Sequence, residues 1–96
     1  MAALLTSATA DTTGTGASVS GPVTVFVRGV FDGATVSVQV SDDDTTYVKP
    51  DNISNAKAHR MVAPGACYIG GTGSYYVRCV VAGGGSSTSI NAVSVQ

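Results

Sequence analysis

The dipeptide Asp32-Gly33 separates two alternating runs, Val23-Thr24-Val25-Phe26-Val27-Arg28-Gly29-Val30-Phe31 and Ala34-Thr35-Val36-Ser37-Val38-Gln39-Val40-Ser41. Alternation with a period of two marks a strand buried on one face. Asp-Gly suits a two-residue type I′ turn, whose central residues both need positive φ. The spacing therefore predicts a β-hairpin. Phe31 then faces Ala34, Gly29 faces Val36, Val27 faces Val38 and Val25 faces Val40, all apolar or Gly. The opposite face pairs Val30 with Thr35, Arg28 with Ser37, Phe26 with Gln39 and Thr24 with Ser41. A slip of one residue would turn the core face to solvent, so the register is well specified.

The rest of the chain reads as short strands between turn signals. Residues 3–8 form a first strand or an arm, and Asp11-Thr12-Thr13-Gly14-Thr15-Gly16 is a loop. Residues 17–20 are a weak strand, closed by Gly21-Pro22; Pro22 lacks a donor and fits just before a strand. Asp42-Asp43-Asp44 forms a turn, because Asp side chains bond their own backbone. Residues 46–48 and 66–69 are short strands. Residues 56–62 alternate weakly and read as a strand, with one helical turn near 54–57 as the rival. A second hairpin follows, Ser74 to Ala82 returning through Gly83-Gly84-Gly85-Ser86. It would set Cys79 against Ile90 and Val77 against Ala92. The closing run Ile90, Ala92, Val93, Val95 changes phase, which predicts a β-bulge near Ala92.

This pattern predicts an all-β fold, a single small antiparallel β-sandwich or barrel, Ig-like or jelly-roll-like. Residues 1–13 are a flexible N-terminal arm or first edge strand, and residues 14–96 are the sandwich domain. At 96 residues the chain can build one core. Five basic residues against six acidic ones argue against a nucleic-acid surface. The same low charge suits a component of an assembly better than a free monomer. No run is long and apolar enough for a membrane span, and residues 1–6 do not read as a signal peptide. Cys67 and Cys79 read as two buried thiols rather than a bridge.

Candidate chemistry is sparse. A hard cation needs several oxygens converging from one loop, whereas adjacent aspartates point to different sides, so residues 42–44 read as a solvated turn rather than a metal site. His59 has no nucleophile or carboxylate held near it by any motif. Neither cysteine sits in a nucleophile context. Gly70-Gly71-Thr72-Gly73 lacks the Lys and helix of a phosphate loop. Asn52-Ile53-Ser54 matches a glycosylation sequon by chance. The reading is thus a non-enzyme, with no cofactor, metal or small-molecule substrate. What remains is surface chemistry. Phe26, Arg28, Tyr76 and Arg78 project away from the expected core, and aromatics with Arg are typical interface anchors. The alternative for Phe26 and Tyr76 is cover by the protein's own loops. Leu4 and Leu5 lie in an apolar arm that would order best against a neighbour.

The run Phe31-Asp32-Gly33-Ala34-Thr35-Val36, with Gln39, Ser41, Asp43 and Tyr47, resembles a segment recurring in small structural proteins of tailed bacteriophages. Residues 75–95 are similar to the end of such proteins, where an aromatic-Val-Arg strand leads through a Gly/Ser loop to a last strand. Residues 50–73 have no counterpart. The resemblance implies a virion protein made in the host cytoplasm and carried on the capsid surface as a decoration or cement protein. Its partners would be the major capsid protein and further copies of itself, a trimer being favoured. A head-fibre base, a tail or connector component, or a glycan- or host-binding module, are the alternatives. The absence of Trp weakens the glycan reading, because sugar faces stack on aromatics. No catalytic residue comes with the resemblance.

Overall fold

A computed structural model describes residues 2–48, 60–70 and 72–96. It has eight strands: β1 (Ala2–Ala8), β2 (Ala17–Ser20), β3 (Val23–Val30), β4 (Thr35–Ser41), β5 (Arg60–Met61), β6 (Gly65–Ile69), β7 (Ser74–Ala82) and β8 (Ser89–Val95). They form two four-stranded sheets, in the orders β1-β8-β3-β6 and β2-β7-β4-β5. All ladders are antiparallel. The pairs β1–β8, β2–β7, β3–β6 and β4–β5 are those of a long two-stranded ribbon rolled into two sheets. The junctions β3–β8 and β4–β7 then join neighbouring turns of the roll. This is the jelly-roll arrangement. The Ig-like alternative fails on strand order, since an Ig sandwich keeps sequence neighbours such as its first two strands side by side.

Jelly-roll connectivity corrects both expected hairpins. β3 and β4 do not pair; they lie in opposite sheets, β3 between β8 and β6 and β4 between β7 and β5. Val27 pairs with Ala92 and Gly65, and Val38 pairs with Cys79. β7 and β8 are likewise split, so Cys79 and Val77 do not face Ile90 and Ala92 across a ladder. The burial pattern survives this change except at Gly29, which is exposed. Val25, Val27, Phe31, Ala34, Val36 and Val38 are buried, and Val40 packs against them half-exposed. A hairpin and an arch between facing sheets bury the same parity of residues, so alternation does not distinguish them. The connecting residues do. Phe31 and Ala34 are themselves buried, because residues 31–34 must cross the ~10 Å between stacked sheets.

The turn chemistry is as expected even though the pairing is not. Asp32 and Gly33 have φ of 48° and 85°, and the Ala34 N–H donates to the Phe31 carbonyl at 2.9 Å. The connection between β7 and β8 locks against this turn. Ser87 N–H donates to Asp32 Oδ2 at 3.1 Å, and the buried Thr88 hydroxyl donates to the Phe31 carbonyl at 3.1 Å. A Cβ on Gly85 would meet the Asp32 carboxylate, so a larger residue there would push that side chain from its present position.

The N-terminal residues take the edge-strand alternative, not the arm. β1 pairs with β8, and its register shifts between Ala3 and Leu5 and again between Leu5 and Ala8. The first shift sets Ala3 and Leu5 opposite the consecutive residues Val93 and Ala92, leaving Leu4 as the extra residue of a bulge. Consecutive leucines can then both turn inward, and Leu4 and Leu5 are 3% and 5% exposed. The bulge expected near Ala92 is therefore on the partner strand. β8 itself runs in unbroken register with β3. Its phase change has another cause: Ile90, Ala92 and Ser94 are buried inward, while Val93 and Val95 face out. Of the weakly alternating residues 56–62, Arg60–Met61 is strand β5. Residues 56–59, the rival helical turn, His59 and the sequon lie outside the described residues.

Candidate interaction face

Two outward faces are available, and the sequence placed two candidate residues on each. On the first sheet, register fixes the rows. Val95, Thr24 and Tyr68 are neighbours across β8, β3 and β6. In the next row Ala3, Val93, Phe26 and Ala66 run across all four strands. Asn91 and Arg28 make the third row, and Ser89 and Val30 the fourth. Phe26 is 43% exposed, Tyr68 54%, Val30 54% and Val95 37%. A shallow groove runs along this face, lined by Phe26, Arg28, Pro64, Ala66, Val93 and Val95. Arg28 is the one charged side chain in these rows. Phe26 and Arg28 thus stand on a real apolar surface. Leu4 and Leu5 do not join them; they belong to the core. Tyr68, Val93 and Val95 were missed in the sequence, because only the register brings β6 and β8 beside β3.

The second face is covered from within. Tyr76 and Arg78 project from β7 and are half-buried. Arg78 Nε donates to Gln39 Oε1 on the neighbouring strand at 2.9 Å. Its guanidinium lies 4.0 Å from the centroid of the Tyr47 ring, a cation–π contact. The Tyr47 hydroxyl donates to Asp44 Oδ1. Burial, then the Asp44 hydrogen bond and charge, push the Tyr47 phenol up to about 12. Tyr47 thus folds back over Arg78, Tyr76 beside it is half-buried, and Phe26 on the other sheet is exposed.

The acidic turn is internally bonded. The Asp43 carboxylate accepts from the N–H groups of Thr45 and Thr46, both at 2.9 Å, and from the Ser41 hydroxyl at 2.9 Å. Ser41 Oγ in turn accepts from the N–H groups of Asp43 and Asp44. The donors, Thr46 and Thr45 first, hold the Asp43 carboxyl below its ordinary range. Among the described residues no three metal-ligating side chains gather. Beside the turn, at the end of the sandwich away from Asp32, Val40, Val48, Ile69 and Tyr75 line a cleft together with Asp42 and the hydroxyl residues Ser41, Thr46, Thr72 and Ser74.

Cys67 on β6 and Cys79 on β7 are buried free thiols in different sheets. Burial raises both, and Cys79 reaches about 12, with a smaller contribution from Cys67. Burial therefore favours the protonated thiol at both positions.

No protein-family model, curated protein or solved structure matches this chain.

Proposed function

We propose that this protein is a structural virion component that binds the outer surface of a tailed-phage capsid as a small homo-oligomer and stabilises the shell. The observation that carries the homo-oligomer part of the reading is the outer face of the β1-β8-β3-β6 sheet. Phe26, Tyr68, Val93 and Val95 lie there in adjoining rows, on a chain with few charges. A contiguous exposed apolar patch on a small domain is the usual sign of a contact surface. The resemblance around Asp32-Gly33 supplies the kind of assembly, with the major capsid protein as partner. Jelly rolls build viral shells among other uses, which is an argument from fold analogy alone. On a repeated lattice, modest contacts per copy add up through multivalency.

The test is to add the purified protein to capsids that lack it, sediment them and count the bound copies. Saturable binding at many symmetric sites is the expected result. Failure to co-sediment would overturn the proposal. Binding of a few copies at the tail alone would replace it with the tail or connector reading.

A further inference from the structure

We propose that the outer face of the β1-β8-β3-β6 sheet seats a second copy of this chain, docked head to tail with its Asp42–Asp44 turn against Arg28. This rests on the homo-oligomer part of the reading above and not on its capsid part.

Charge decides the occupant. Arg28 is the single charged side chain among the outward rows of this face, and those rows hold no carboxylate. Stacking the face on its own copy would give Arg28 no acidic partner. The chain's acidic cluster lies elsewhere, at the opposite end of the sandwich. Within it, Asp43 and Asp44 are occupied by Ser41, Thr45, Thr46 and Tyr47. Asp42 is exposed and takes no part in the described hydrogen bonds of the turn. Asp42 also edges the cleft lined by Val40, Val48, Ile69 and Tyr75. Phe26 stands two residues from Arg28 on the same face of β3, about 7 Å away by strand geometry. An aromatic side chain beside a cation thus meets a partly apolar cleft beside an anion.

Area points the same way. Four strands at ~4.8 Å spacing and ~20 Å of strand length give a face of about 400 Å². A face-to-face dimer would bury only that much on each copy, about half of the ~800 Å² per partner of a stable complex. In a head-to-tail ring each copy gives its face to one neighbour and its turn end to another, so two modest contacts per copy, closed by the ring, replace a single small one. Heterologous contacts of this kind close into rings when the rotation allows.

Light scattering after size exclusion, on the full chain over a range of concentrations and at low and high salt, tests this. The wild type is expected to form a closed oligomer that weakens with salt. Phe26→Ser, Arg28→Asp and Asp42→Arg should each weaken association about tenfold or more. All three sites are exposed, and circular dichroism melts identify any variant that fails to fold. The double variant Arg28→Asp/Asp42→Arg should restore the oligomer. A monomeric wild type throughout, an oligomer indifferent to Phe26 and Arg28, or a double variant that stays dissociated would each overturn the proposal. A ring-forming protein that leaves capsids bare would sink the capsid reading alone. A monomer that still coats them would sink this proposal together with the homo-oligomer part of the reading and leave its capsid part standing.

Discussion

Ser87 donates its backbone N–H to the Asp32 carboxylate at 3.1 Å, joining two of the loops that carry the chain from one sheet to the other. Asp32 also holds a φ of 48°, a conformation that Asp tolerates better than most residues. Asp32→Ala should remove the hydrogen bond and add backbone strain. The expected cost is about 1 kcal/mol, or roughly 4–8 °C in melting temperature for a domain of this size. Asp32→Asn, which keeps both an acceptor and tolerance of positive φ, should cost less. Equal melting of wild type and Asp32→Ala would show that the loops are held by other contacts.

Gly33 follows with a φ of 85°, and a Cβ there would meet nothing within contact distance. Gly33→Val should therefore destabilise through backbone conformation alone, by about 1 kcal/mol or more. Thermal denaturation checks this, and an unchanged midpoint would contradict the turn geometry.

Val38 is fully buried on β4, paired with the equally buried Cys79. Val38→Asp should abolish folding, because an unpaired carboxylate in that layer costs on the order of several kcal/mol. A soluble variant with wild-type melting would place Val38 outside the core.

The Asp43 carboxyl is held below its ordinary value, so the folded state binds fewer protons than the unfolded state at acid pH. Its contribution is present above the unfolded value of 3.8 and is lost as pH falls through the lower folded value. Melts of wild type and Asp43→Asn between about pH 5 and about pH 2.5 should converge toward the acid end. Parallel curves would mean that the turn does not depend on the ionised carboxylate.

Cys67 and Cys79 should both be unreactive toward a polar thiol reagent in the native protein and should both titrate after denaturation. Burial keeps the thiols protonated and out of reach. Rapid native labelling, or a mass showing an internal disulfide, would contradict this.

Much of the fold was legible because burial follows parity. The alternation of residues 23–41 identified the core positions of β3 and β4, and Asp-Gly identified the turn. Strand partners were not legible, because Val27 buries its side chain equally well whether it pairs with Val38 or with Ala92. Residues 3–8 read equally as a first strand or an arm, because simple alternation does not turn consecutive leucines to one side, whereas the bulge at Leu4 does. Phe26 and Arg28 were recognisable as outward residues from their own strand. Tyr68, Val93 and Val95 joined them only once β6 and β8 were placed on either side of β3.

Capsid heating tests the proposed role most directly. Particles stripped of this protein, by deletion or by washing, are compared with intact particles and with stripped particles to which the protein is restored. A cement protein predicts that stripped shells release their genome at a lower temperature and that restoration recovers the original one. The same release temperature in all three would contradict the role.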